Sequence, residues 1–183
     1  LALLTGSEGL LGIVVEVTVR LLPSPQAARV IMAGFPSVTA AGDAVGAVIA
    51  AGIIPAGLEM MDRLAIQAAE DFAGAGYPRD AEALLLCEVD GTAEEVDSGS
   101  RRVEALFLEL GATSIVASAN EAQRALLWQG RKAAFPAVGR LAPDYYCMDG
   151  TIPRRQVSRV LNEIATLSGK YGLRVANVFH AGD

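Results

Sequence analysis

The sequence predicts an α+β fold, a ferredoxin-like antiparallel sheet with helices mainly on one face. Two observations lead there. Short apolar runs of strand length alternate with longer helix-period runs as three strand–helix–strand groups. The helical runs are also bounded by capping residues and closing glycines.

The elements follow in order. Ile13 to Leu22 reads as a strand, with Ile13, Val15, Val17, Val19 and Leu21 on one face. Pro23-Ser24-Pro25 then forces an extended break, and a domain boundary falls there. Residues 1–22 are the tail end of one domain, 23–26 a linker, and 27–183 a second domain. Ala28 to Phe35 is a short β run, and Ser37 caps a helix from about Val38 to Ala51, ended by Gly52. Pro55 to Met61 is a strand, and Asp62 caps a helix to about Ala73. Gly74 to Pro78 is a loop, Ala83 to Val89 a strand, and Thr92 with Glu95 a capping box for a helix closed by Gly111. Thr113 to Ala117 is a strand, and Asn120 caps a helix to about Ala133. Tyr145 to Ile152 is extended, Arg154 to Tyr171 helical up to Gly172, and Leu173 to His180 an apolar strand. Residues 28–118 make the βαββαβ unit.

Composition narrows the chemistry. Fifteen Lys and Arg stand against 21 Asp and Glu, a net charge of −6 that argues against nucleic acid as a partner. A single histidine excludes a self-contained site built on two. Two cysteines, Cys87 and Cys147, are not a secreted disulfide framework, so a reducing compartment is expected. The most apolar stretch, Ala44 to Leu58, holds Pro55, is bounded by Asp43 and Glu59, and falls short of the roughly 20 residues of a transmembrane helix. Leu1 and Asp183 both adjoin apolar runs, so a fragment of something longer is expected.

Three places carry candidate chemistry. Gly6, Gly9 and Gly12 are spaced by three, so the backbone of Thr5 to Gly12 can pass close to a ligand and present N–H groups to it. The motif leads into a strand, which is not the dinucleotide-binding order, and a plain glycine-rich turn has the same spacing. Arg131-Lys132, after Trp128, is either a cationic anchor for a small carboxylate or two solvated charges at a helix end. His180 ends an apolar strand before Ala181-Gly182-Asp183, a common place for a catalytic group, although a lone histidine is more often a hydrogen-bonded structural residue. Cys87 reads as buried and inert; Cys147, beside Tyr145, Tyr146 and Met148, has no partner base. The pair Arg154-Arg155 is given no role.

In combination these motifs resemble a known family. Gly6-Ser7-Glu8-Gly9-Leu10-Leu11-Gly12-Ile13-Val14 is similar to the closing segment of the flavin-binding domain in flavoproteins of the vanillyl-alcohol-oxidase type. Trp128-Gln129-Gly130-Arg131-Lys132, the stretch Pro143 to Arg154, and Asn177-Val178-Phe179-His180-Ala181-Gly182-Asp183 resemble the FAD-linked subunits of bacterial glycolate oxidase, over their C-terminal half.

The resemblance implies an FAD-dependent oxidoreductase that converts a small 2-hydroxy acid, glycolate or D-lactate, to the 2-oxo acid by hydride transfer. It implies that residues 1–22 close the FAD-binding domain, with Gly6, Ser7, Glu8, Gly9, Gly12, Ile13 and Val14 along the cofactor, and that 27–183 is the substrate or cap domain. It implies that Arg131 grips the substrate carboxylate and that His180 is catalytic. His180 also matches the first of two histidines that hold a divalent metal such as zinc in some relatives; the second would lie seven positions on. Some relatives carry a lysine where Cys147 stands. Companion flavin-type and iron–sulfur subunits, no transmembrane segment, and a cytoplasmic place peripheral to the inner membrane through those partners are further implications. Residues 1–183 alone are expected to bind no FAD and to be inactive. The competing reading is a non-catalytic ferredoxin-like module for ligand sensing or subunit assembly.

Overall fold

In the computed structural model, which describes residues 1–182, two strands form the centre of a five-stranded sheet. Strand β1 (Ala27–Phe35) and strand β3 (Ala83–Gly91) pair antiparallel along their whole length, from Ala27 opposite Gly91 to Phe35 opposite Ala83. Consecutive residues of both are fully buried, Val30 and Ile31 on one strand and Leu84, Leu85 and Leu86 on the other, so both faces of the sheet must be covered. Strand β2 (Gly57–Asp62) lies on the far side of β3, and β4 (Ser114–Ala117) on the far side of β1. Strand β5 (Val178–His180) pairs with the outer edge of β2, completing the order β4-β1-β3-β2-β5. All neighbours are antiparallel, as predicted.

Three helices share one face: α1 (Val38–Ala50), α3 (Ala93–Glu109) and α5 (Val157–Tyr171). Val45, Phe107 and Leu161 pack there with Ile31, Phe35 and Leu85, and the rings of Phe35 and Phe107 meet edge to face at 5.7 Å. Helices α2 (Arg63–Ala73) and α4 (Glu121–Val138) cover the other face, where Ile66 and Leu127 pack with Val30, Met32, Leu84 and Leu86. The helices are thus mainly on one face, three against two, and the candidate site forms on the two-helix side. Ser37, Asp62, Thr92 and Asn120 each accept a backbone N–H as N-caps, and Glu95 closes the capping box with Thr92.

Some elements differ from expectation. Residues 13–22 do not form a strand. Their backbone has no ladder partner among the described residues, and Ile13, Val15, Val17, Val19 and Leu21 are all exposed. Alternation identifies a face that would be buried, but a strand exists only when a neighbour takes its N–H and C=O groups. The same applies to 145–152 and 173–176, so only Val178–His180 of the last apolar run is paired. Helix α4 runs past Ala133 to Val138 although it contains Pro136. The proline stands near the helix end, where it removes one hydrogen bond, while Ala133, Ala134 and Ala137 remain buried. A single 3₁₀ turn, Arg154–Gln156, precedes α5.

The loop after α2 approaches α4 closely at Gly130. A Cβ there would lie 2.5 Å from the Tyr77 hydroxyl oxygen and 2.8 Å from the Ala75 Cβ. That hydroxyl donates to the Leu127 carbonyl at 2.5 Å, tying the loop after α2 to α4, and burial pushes its pKa well up. Gly130→Val should therefore destabilise the fold by about 1–3 kcal/mol through overpacking, read as a lower urea midpoint, despite the helix penalty that glycine itself carries.

Candidate active site

Helix α4 presents Arg124, Trp128 and Arg131 at i, i+4 and i+7, one stripe along the side that faces the sheet. Two acidic residues meet it there. Glu59 of β2 stands opposite Leu86 of β3, and Glu88 lies two residues further along β3, so both carboxylates project from the same face. Arg124 donates to Glu88 at 2.7 Å and also forks onto Glu121 through two further bonds, which pushes its pKa further up and lowers that of Glu121. The Trp128 indole N–H donates to the same Glu88 oxygen at 2.5 Å. Its ring lies over the backbone of Gly57, where a Cβ would come within 3.1 Å of it.

The second acidic residue joins the two residues singled out from the sequence. Arg131 Nε donates to Glu59 Oε2 at 3.0 Å, and Arg131 Nη2 lies 2.9 Å from the same oxygen. His180 stands directly opposite Glu59 across the β2–β5 ladder, and its Nδ1 is 2.5 Å from Glu59 Oε1. Arg131 and His180, 49 positions apart, therefore meet on the two oxygens of one buried carboxylate. The His180 ring is otherwise largely exposed.

A cleft of about 240 Å³ opens beside this group, lined by Pro55, Gly57, Glu59, Trp128, His180 and Gly182 among others. Arg131 does not line it and adjoins it through Glu59. Gly182 is tightly held, since a Cβ there would lie 2.5 Å from the Leu58 Cβ, and Arg154 donates to its carbonyl at 3.1 Å. The start of β5 is pinned as well. Asp62 Oδ2 accepts both the backbone N–H and the side-chain N–H of Asn177, at 2.8 and 2.7 Å. Burial of Asp62 outweighs those donated bonds and raises its carboxyl above the usual range.

The other sequence candidates lie elsewhere. Gly6, Ser7, Glu8, Gly9, Gly12, Ile13 and Val14 belong to a segment whose hydrogen bonds stay within residues 1–10. Gly6 and Gly9 have φ of 77° and 80° and Glu8 one of 50°, and no atom lies within 4 Å of a Cβ built at Gly6, Gly9 or Gly12. No group of three His, Cys, Asp or Glu side chains converges among the described residues, so His180 has no ligand set around it here. No helix among them is long and apolar enough to cross a membrane. Cys147 is exposed, whereas Cys87 is buried with its thiol pushed up to about 12 by burial first and by the Glu88 charge second. Iodoacetamide at pH 8 should accordingly alkylate Cys147 and spare Cys87 until urea unfolds the chain, as counted by mass spectrometry.

Sequence reading missed Glu59 and Glu88. Glu59 marked the edge of an apolar stretch, and Glu88 was one letter in a strand. An acidic residue inside an apolar strand is itself a signal, because such a charge stays buried only with a partner.

Comparison with known proteins gives the family. The model of the family described as FAD linked oxidases, C-terminal domain, matches residues 24–183. The chain is 63% identical over its whole length to the glycolate oxidase subunit GlcD of Escherichia coli K12, of which it covers 37%. It is 36% identical over 181 residues to the GlcD of Bacillus subtilis 168, covering 99% of the chain and 38% of that protein. It is 26% identical over 190 residues to a D-lactate dehydrogenase of Anaerostipes hadrus, covering all of the chain and 40% of that protein. Among solved structures, an alkyldihydroxyacetonephosphate synthase matches 79% of this chain with 31% of its own, at a TM-score of 0.59 and 14% identity, which is a likeness of fold.

Proposed function

The chain belongs to the family of FAD-linked oxidase C-terminal domains, and on that premise we propose that it is the substrate-side part of an FAD-dependent 2-hydroxy acid oxidoreductase. The substrate is a small acid of the glycolate or D-lactate kind, and the product is the 2-oxo acid. The observation that carries the reading is the meeting of Arg131 and His180 on Glu59, beside an open cleft. A 2-hydroxy acid carries a carboxylate and a hydroxyl on adjacent carbons. It needs a fork of N–H donors for the first and a proton acceptor close by for the second. Arg131 is the fork and His180 the acceptor.

FAD, when bound, supplies the hydride acceptor. The residues of this chain do the rest. Arg131 binds the substrate carboxylate and fixes the orientation of the α-carbon. His180 takes the hydroxyl proton on Nε2 as the α-hydrogen leaves with its electron pair, so the carbonyl forms without a build-up of charge on oxygen. Trp128, held by Glu88, walls the cleft against water. Residues Gly6 to Val14 are assigned one wall of a flavin site: Gly6 and Gly9 take left-handed φ, and no atom lies within 4 Å of a Cβ built at Gly6, Gly9 or Gly12, so a ligand could approach the backbone closely. A divalent ion such as zinc would find one free histidine nitrogen, which is not a binding set, and no step is assigned to it. Partner subunits are proposed because the GlcD relatives are named as subunits of glycolate oxidase. A sensing or assembly module is not favoured: it has no use for a buried carboxylate joining a guanidinium to an imidazole.

The test is the reductive half-reaction. The full-length FAD-loaded protein, mixed without oxygen with glycolate or D-lactate, should lose its flavin absorbance near 450 nm. Persistence of the oxidised spectrum with both acids would overturn the proposal. Residues 1–183 alone should purify colourless, since one wall does not retain the cofactor.

A further inference from the structure

We propose that Glu59 is the positioning residue of this site, setting with one carboxylate both the orientation of Arg131 and the tautomer of His180. The inference rests on the reading above and deepens it. Glu59 is 6% exposed in the middle of an apolar strand, between Leu58 and Met60. A charge in that position costs several kcal/mol unless it is paired, and both of its oxygens are used.

The consequences for the two partners differ. A guanidinium presents one fork through Nε and Nη2 and a second through Nη1 and Nη2. Glu59 occupies the first, with both contacts on Oε2, and leaves the second for another carboxylate. For His180 the effect is on protons. A carboxylate only accepts hydrogen bonds, so the bond at 2.5 Å places the ring hydrogen on Nδ1. The lone pair is then on Nε2, the nitrogen that can take a hydroxyl proton. Glu59 does both because it stands between a helix on one side and the edge strand β5 on the other.

The experiment uses the full-length FAD-loaded protein. Glu59→Gln keeps the size of the side chain but replaces one acceptor oxygen with an NH₂ group that no N–H can donate to. The Kd of oxalate, a two-carbon dianion, is read from its perturbation of the flavin spectrum, beside kcat with glycolate. Glu59→Gln should raise the oxalate Kd at least tenfold and lower kcat at least tenfold. Its effect on the oxalate Kd should vanish when Arg131 is already alanine, because Glu59 acts on the anion through Arg131. An effect of equal size in both backgrounds would mark a merely structural role and overturn the proposal, as would an unchanged oxalate Kd in Glu59→Gln. If Glu59→Gln loses its flavin, Glu59→Asp replaces it. One methylene shorter, it cannot reach both partners, so either oxalate affinity or kcat should fall at least tenfold, and retention of both would overturn the proposal. Arg131→Ala without effect on oxalate would overturn the functional reading and this proposal with it. A weakened Arg131→Ala beside an unaffected Glu59→Gln would overturn this proposal alone.

Discussion

Arg131→Ala in the full-length FAD-loaded protein should raise the KM for its 2-hydroxy acid by about 100- to 10,000-fold. Hydrogen bonds to charged groups contribute about 1.5–3 kcal/mol each, and a bidentate carboxylate contact supplies two. The same change strips Glu59 of a positive partner, and breaking a buried pair from one side costs about 3–5 kcal/mol in stability. The two effects separate with Arg131→Lys. An ammonium can neutralise Glu59 and restore much of the melting temperature. It cannot form two forks at once, so the KM should stay at least tenfold high. Steady-state kinetics beside a thermal melt makes the comparison. Recovery of KM by lysine would show that charge alone, and not a fork, binds the substrate.

His180→Ala should leave KM and flavin content nearly unchanged and lower turnover about 100- to 10,000-fold, the usual worth of a general base. Stopped-flow reduction of the flavin measures it directly. The His180 ring is largely exposed, and Arg131 still compensates Glu59 when it is gone, so the melting temperature should change little. A fall of less than threefold would remove His180 from the chemistry.

Much of this was legible in the residues themselves. Ser37, Asp62, Thr92 with Glu95, and Asn120 marked helix starts that the structure reproduces, because a cap is a local interaction between residues three apart. Arg131 stood out as a cation near an expected helix end, which the structure moves on to Val138 so that Arg131 lies inside α4, and His180 as a histidine at a strand end. Their convergence was not legible, since it runs through Glu59, 72 positions from one and 121 from the other. Nor does alternation in residues 13–22 say whether a neighbouring strand is present. The division of helices between two faces follows from which strands are adjacent, and the sequence states only which are apolar.

The position of β5 has a consequence for the order of assembly. Strands β1 to β4 are complete by Ala117, with α2 inserted between β2 and β3 where the βαββαβ expectation has none, but the outer edge of β2 stays open until Val178–His180 pairs with it. A chain emerging from the ribosome therefore exposes that edge, with Glu59 Oε1 still lacking its His180 partner, while the residues up to Tyr171 are being made. Closing so long a loop is slow, and an open edge is a template for pairing with another chain. The Glu59–His180 contact and cover for the β2 edge would then be gained in one docking event, and a product that stalls before Val178 would lack both.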